Sequence, residues 1–209
     1  MKALDSQQLG FRKPKNFNDP FELSFLSNSD GPHSKQADLK RVLDELRNTV
    51  AVLSLTRTAN NPLMWAHYGE DHSGFVIGYD VSDVFLSSQD YNLIPVTAGD
   101  VVYTNTKSSH ILNPQIMDSV QNIYLSGMGD EPQLRDPETI ALARKIFLTK
   151  HASWVYEEEV RVVKILDSIF RESADFQSDS RRSYYTLTKN IEPGKNIELI
   201  PGLSIFNFK

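Results

Sequence analysis

None of the 209 residues is cysteine, which excludes disulfides, a thiolate nucleophile and cysteine-ligated zinc. The chain also lacks any apolar run of about 18 residues, the length a membrane-spanning helix needs. Its opening, Met1-Lys2-Ala3-Leu4-Asp5, turns polar within one helical turn, unlike the apolar stretch of a signal peptide, so the expected location is cytoplasmic. No large charge of one sign is present. The formal net charge of −5 creates no whole-molecule field for nucleic acid or an anionic membrane, although a local basic patch stays open. Phosphate-cradling loops are missing, because Gly69, Gly74 and Gly78 match neither the dinucleotide nor the phosphate-loop spacing. A Gly-x-Ser-x-Gly nucleophile turn is missing too, as are internal repeats and low-complexity tracts.

What remains is an ordinary composition with 40% apolar residues, enough for one core, and residues 1–209 read as a single domain. The patterning predicts an α+β fold, a mixed or antiparallel sheet flanked by helices. Leu9 to Pro14 is a short apolar stretch running into prolines, extended or turned as far as Pro20. Asn18-Asp19-Pro20 reads as a turn and residues 27–34 as a loop. Leu39, Val42, Leu43, Leu46 and Val50 recur at helical spacing behind Ser34, so that helix should lay its apolar stripe on a sheet. Val50-Ala51-Val52-Leu53-Ser54-Leu55 is apolar and β-branched, as in a strand buried on both faces, and ends in hydroxyls at Ser54 and Thr56. Asn61 before Pro62 caps a short helix to Gly69. Further strands are expected at 75–79, 101–103, 184–187 and 197–200, with helices at 114–125 and from Asp136-Pro137 onward. The late Glu-rich stretch from Tyr156 favours a strand once its β-branched residues begin at Val160. Residues 127–136 read as loop and 171–182 as polar and mobile.

Three motifs carry the chemistry. In a strand from Tyr156 the period of two sets Glu157, Glu159 and Arg161 on one face and Tyr156, Glu158 and Val160 on the other. Two carboxylates about 7 Å apart repel unless a cation stands by, and Arg161 supplies part of that balance. Read functionally, this face holds a ligand hydroxyl or a developing positive charge, with Glu159, Glu157 and Arg161 as the catalytic candidates. The plainer reading is a solvated face with a surface ion pair. Trp154 beside it favours a pocket. On the short helix, Trp65 and Tyr68 share a face with His67 to the side; they either stack on and hydrogen-bond a ligand or pack into the core. His67 and His72 are five apart, poor geometry for one metal from one helix face, so no zinc site is expected. Asp19 and Glu22 flank Pro20 as ligand-binding candidates, or as ordinary turn chemistry.

At these residues the chain resembles a bacterial family known as domain of unknown function 2971. The likeness rests on Asn18-Asp19-Pro20-Phe21-Glu22, on Met64-Trp65-Ala66-His67-Tyr68 leading to Gly74, and on Trp154, Glu157, Glu159 and Arg161 with Lys150 upstream. Relative to that family, the chain looks shortened at both ends. The family's layout is in turn similar to ADP-ribosyltransferases: an early strand with His, Arg or Tyr, a middle strand ending in hydroxyls, and a late Glu-x-Glu strand. That analogy implies a split pair of sheets with NAD bound between them. Ser54 and Thr56 would line the nicotinamide pocket, Tyr68 or Trp65 would stack on the ring, and Glu159 would hold the ribose hydroxyl and steady the charge as nicotinamide leaves.

Two other classes stay open. One is a metal-dependent nuclease or phosphodiesterase using Asp19, Glu22, Glu157 and Glu159 around magnesium, against which Arg161 competes. The other is a binding module without chemistry, working in a phage-defence or toxin system. A small nucleotide is the expected ligand, no membrane is expected as partner, and sheet edges left open at the short N-terminal region would allow a homodimer.

Overall fold

The four residues Val50 to Leu53 are all buried, and the strand they begin organises the sheet. The computed structural model describes residues 8–17, 19, 22–23, 26–27, 33–82, 84–89, 92–106, 109–110, 114–125, 137–165, 176–179, 184–188 and 197–201. Within them the chain has an α+β fold. Strand β1 is Gln8–Arg12 and β2 the short Leu26–Ser27; β3 is Val50–Thr56 and β4 Phe75–Tyr79. Strands β5 (Val102–Thr104), β6 (Ser109–His110) and β7 (Thr149–His151) are brief, while β8 runs Glu159–Ile165. The last three are β9 (Phe176–Asp179), β10 (Tyr184–Thr188) and β11 (Ile197–Pro201).

The main sheet has five strands in the order β8-β3-β1-β10-β9, and every pairing in it is antiparallel. Strands β3 and β8 pair along their whole length, from Val50 opposite Ile165 to Thr56 opposite Glu159. Strand β1 touches β3 at Arg12 opposite Val52 and pairs with β10 on its other side. The expectation of an open edge at the start of the chain is therefore corrected: β1 lies inside the sheet. The outer edge of β8 takes single bridges from Ile94 and Asp100. A separate antiparallel pair joins β4 to β11, and short parallel pairs join β2 to β6 and β5 to β7.

Five helices accompany the sheet among the described residues: α1 (His33–Thr49), α2 (Pro62–Tyr68), α3 (Val84–Ser87), α4 (Pro114–Leu125) and α5 (Pro137–Phe147). Alternation along each strand divides the core in two. On one face Val50, Val52 and Val163 meet Leu43 and Leu46 of α1, Val120 and Ile123 of α4, and Leu142, Ile146 and Phe147 of α5. On the other face Ala51, Leu53, Val160 and Val162 pack with Phe11, Leu86 and Val96. Each buried Val, Leu, Ile or Phe among them contributes about 1.5–3 kcal/mol by leaving water, so β3 is fixed from both sides. The cap of α2 follows from Asn61-Pro62: the Asn61 side chain accepts from Leu63 N–H at 2.9 Å.

Two segments depart from the sequence reading. The polar stretch expected to be mobile contains β9, which the ladder from Tyr184 opposite Asp179 to Leu187 opposite Phe176 holds in place; backbone pairing does not depend on apolar side chains. The late strand begins at Glu159, because residues Ala152–Glu157 form a 3-10 turn and Glu158 adopts a left-handed conformation with φ 43°. Asn18, Pro20 and Phe21, the loop residues 28–32, residues 127–136 and residues 171–175 and 180–182 lie outside the described part. Among the described residues no helix is long and apolar enough to cross a membrane.

Candidate functional site

The helix-covered sheet face changes character along its strands. On β3 it runs Val50, Val52, Ser54, Thr56, and on β8 it runs Val163, Arg161, Glu159. The apolar end lies under the helices, and the polar end opens into a cavity of about 370 Å³. Strand β1 adds Gly10 and Arg12, α2 adds Met64 and Tyr68, and Phe17, Glu22, Lys150 and Glu157 complete much of the wall. No residue of β4 or β11 lines it among those described, so the cavity belongs to the main sheet and its cover, not to a cleft between two sheets.

Arg161 is the hub of the cavity floor. It is only 2% exposed. Its Nε donates to Glu159 Oε1 at 2.8 Å, its Nη2 to Glu159 Oε2 at 3.0 Å and also to Glu22, and its Nη1 to the Phe147 carbonyl at 2.7 Å. Lys150 Nζ donates to Glu159 Oε2 at 3.0 Å and to Glu157 Oε2, and lies 3.6 Å from Glu22 Oε1. Tyr68 completes the network by donating its hydroxyl to Glu157 Oε1 at 2.7 Å. All five charged members, Glu22, Lys150, Glu157, Glu159 and Arg161, are buried. Three carboxylates against two cations leave the cluster formally one charge negative. Such groups persist away from water only because each finds partners.

Their titration follows from that arrangement. Burial alone would push Glu159 up, but the charge and hydrogen bonds of Arg161, with Lys150 and Ser54, outweigh it and hold the carboxyl below its ordinary value. For Glu22 burial wins over Arg161, and its carboxyl titrates above the ordinary value. Burial would lower Lys150, yet Glu159 and Glu157 outweigh it and raise the ammonium, keeping it charged at neutral pH. Tyr68 is raised by burial and by its bond to Glu157.

The two shifted carboxyls affect stability with opposite signs. Glu22, raised, binds a proton in the folded state before the unfolded chain does, so folding gains as pH falls through its folded value. Glu159, depressed, stabilises above the ordinary glutamate value of 4.5 and loses that contribution as pH falls through its lower folded value. The expected urea midpoint therefore rises slightly from neutral pH toward mild acid and drops below pH 4.5. Glu22→Gln should abolish the rise and keep the drop; a profile unchanged by that substitution would refute the assignment.

Local backbone explains how Glu157 reaches the floor without lying on the strand. It ends the 3-10 turn capped by His151, whose ring accepts from Ser153 N–H. The turn is pinned by Thr56 Oγ1 donating to the Glu157 carbonyl and Asn61 Nδ2 donating to the Tyr156 carbonyl, both at 2.7 Å. The left-handed Glu158 then reverses the chain into β8.

The structure thus brings Glu22, Ser54, Thr56, Tyr68, Glu157, Glu159 and Arg161 to one cavity. Asp19 is buried beside it and accepts from His151 N–H at 3.3 Å. Trp65 does not face the hollow. It is buried, its indole N–H donating to the Ala59 carbonyl at 2.8 Å, because a ring this large packs beneath its own short helix. His67 stacks on Tyr156 with centroids 5.8 Å apart, and Trp154 lies against both Tyr156 and the Lys150 ammonium. Neither is among the cavity's lining residues. Lys150, Arg12, Phe17 and Met64 were not candidates from composition or spacing. Lys150 and Met64 carried a signal only through the family likeness, Lys150 upstream of the late acids and Met64 just ahead of Trp65.

The model of DUF2971, a family of proteins of unknown function, matches residues 64–162. Over that span the chain is similar to the DUF2971 family. No curated protein and no solved structure matches it. The DUF2971 segment runs from Met64 on α2 to Val162 on β8 and so contains Tyr68, Lys150, Glu157, Glu159 and Arg161. Arg12, Glu22, Ser54 and Thr56 reach the same cavity from outside the DUF2971 segment.

Proposed function

We propose that the cavity binds a nucleotide of the NAD class and that the chain acts as an ADP-ribosyltransferase-like enzyme. The observation that carries this reading is the convergence of three adjacent strands on one hollow: Arg12 from β1, Ser54 and Thr56 from β3, and Glu159 from β8. That is the residue order the transferase analogy implies, with Arg12 as the early-strand cation. Bound there, NAD would supply the ADP-ribosyl group with nicotinamide as leaving group. The volume, about 370 Å³, is at the small end of ligand pockets, which span about 300–1,000 Å³; it suits one nucleoside half of the molecule. Arg12, exposed at the rim, offers a charge-assisted hydrogen bond to a phosphate. Ser54 and Thr56 line the stretch of wall that a nicotinamide ring would face. The cluster's net negative charge, held in a site with little water, favours positive charge developing on the ribose.

A second reading, a binding module without chemistry, is favoured by one fact: both oxygens of Glu159 already accept from Arg161 or Lys150. The metal-dependent nuclease is supported less, since Lys150 and Arg161 stand among the carboxylates where a divalent cation would need to sit. Isothermal calorimetry with NAD, and separately with manganese, discriminates among these readings when combined with a product assay. Binding heat with NAD and slow release of nicotinamide are expected. Heat with NAD without nicotinamide release points to the binding module, and heat with manganese alone overturns the nucleotide reading.

A further inference from the structure

Resting on that nucleotide reading, we infer that Glu157, and not Glu159, is the carboxylate that receives a ligand hydroxyl, and that the Tyr68 hydroxyl marks the place the ligand hydroxyl takes. The contrast lies in the partners. Glu159 has charged donors on both oxygens: Arg161 on Oε1, and Arg161 and Lys150 on Oε2. Displacing either leaves a charge without its partner in a buried place, which is costly. Glu157 has a charged donor, Lys150, on Oε2, but its Oε1 is held by the neutral phenol of Tyr68. One hydroxyl replaces another on that oxygen with no change in charge.

Tyr68 is placed for such an exchange. Its hydroxyl reaches a buried acid while the residue as a whole is 60% exposed, so the ring lies at the cavity wall with its outer part in water. Rotation about its own side-chain bonds would free Glu157 Oε1 without disturbing the core. The backbone beneath it is fixed. Tyr68 is the last residue of α2, and Glu70, Asp71 and His72 follow with φ of 51°, 51° and 69°. Three successive non-glycine residues in the left-handed region are strained and persist only where the surroundings impose them. Here His72 N–H donates to the Trp65 carbonyl at 3.3 Å and Gly74 N–H to the Gly69 carbonyl at 2.7 Å. Gly69 itself is required, since a Cβ there would come within 2.7 Å of the Trp65 ring. The turn sets the end of α2 so that the phenol, and not the backbone, is the movable element.

Tyr68→Phe keeps the ring and removes the competing hydroxyl, leaving Glu157 Oε1 short of a donor until a ligand provides one. The test is calorimetric titration of wild type, Tyr68→Phe and Glu157→Gln with NAD and with the fragment nicotinamide riboside. Tyr68→Phe is expected to bind NAD about tenfold more tightly, a difference of about 1.4 kcal/mol, and Glu157→Gln to bind more weakly than wild type. If NAD binds wild type and Tyr68→Phe weakens it fivefold or more, the phenol is itself a ligand contact and the inference is wrong while the nucleotide reading stands. If NAD binds neither protein but Tyr68→Phe gains affinity for the riboside, the inference holds and the NAD reading falls. No binding of either ligand to any of the three proteins overturns both.

Discussion

Replacing Arg161 by methionine is expected to destabilise the fold by about 3–5 kcal/mol, the loss typical when one partner of a buried ion cluster is removed. For a chain of this length that is a fall in Tm of roughly 6–20 °C by differential scanning calorimetry. The size follows from what is left behind. Glu159 and Glu22 would keep one cation, Lys150, for charges that the guanidinium now shares, and the Phe147 carbonyl would lose its donor. Methionine fills much of the volume but donates nothing. The contrast is Arg57 and Asp100, an ion pair at 2.5 Å in which both side chains are more than half exposed. Asp100→Asn should change stability by less than about 0.5 kcal/mol, because solvent screens such pairs. A loss at Arg161 no larger than at Asp100 would mean that the cluster is not buried as described.

Gly99→Ala should be at least as damaging, for a different reason. A Cβ at Gly99 would lie 1.9 Å from the Arg161 carbonyl oxygen and 2.9 Å from its carbon. Both obstacles are backbone, so no side chain can rotate out of the way. Retreat is blocked too, since Arg161 N–H donates to the Gly99 carbonyl at 2.8 Å and the neighbouring Asp100 bridges to Val160. Overpacking usually costs about 1–3 kcal/mol where side chains can adjust; here a loss above about 3 kcal/mol is expected, read as a lower urea midpoint. The displaced strand is the one carrying Glu159 and Arg161, so ligand binding should fall with stability. A Gly99→Ala protein of wild-type midpoint would show that β8 and residue 99 are not in contact.

How much of this was readable in the chain depends on the range of the interaction. Val50 to Leu53 announced a strand buried on both faces because a continuous β-branched run leaves little alternative, and Asn61-Pro62 announced a helix start because cap and first turn are local chemistry. The acids and Arg161 were legible as a charged group, and Arg161 was expected to balance them. Their burial was not legible, because it depends on Glu22, joined to Arg161 across 139 residues, and on Lys150 arriving from β7. Nor does Glu157-Glu158-Glu159 contain any signal that its middle residue turns left-handed. Strict alternation over that stretch placed Glu157 on the strand, whereas it reaches the same hollow from a 3-10 turn. Trp65 illustrates the reverse case: helical spacing grouped it with Tyr68, but size sent the indole inward and left the phenol at the cavity.

The central claim is that the hollow above the Glu22–Lys150–Glu157–Glu159–Arg161 cluster is where the nucleotide binds, and methionine supplies a direct probe of it. The chain has four methionines; Met64 lines the cavity, while Met117 packs against the helix-side core. In a sample with 13C-labelled methionine methyl groups, titration with NAD should shift the Met64 resonance and leave that of Met117 in place. A Met64 signal that stays fixed while NAD binds, or a shift confined to Met117, would contradict the account.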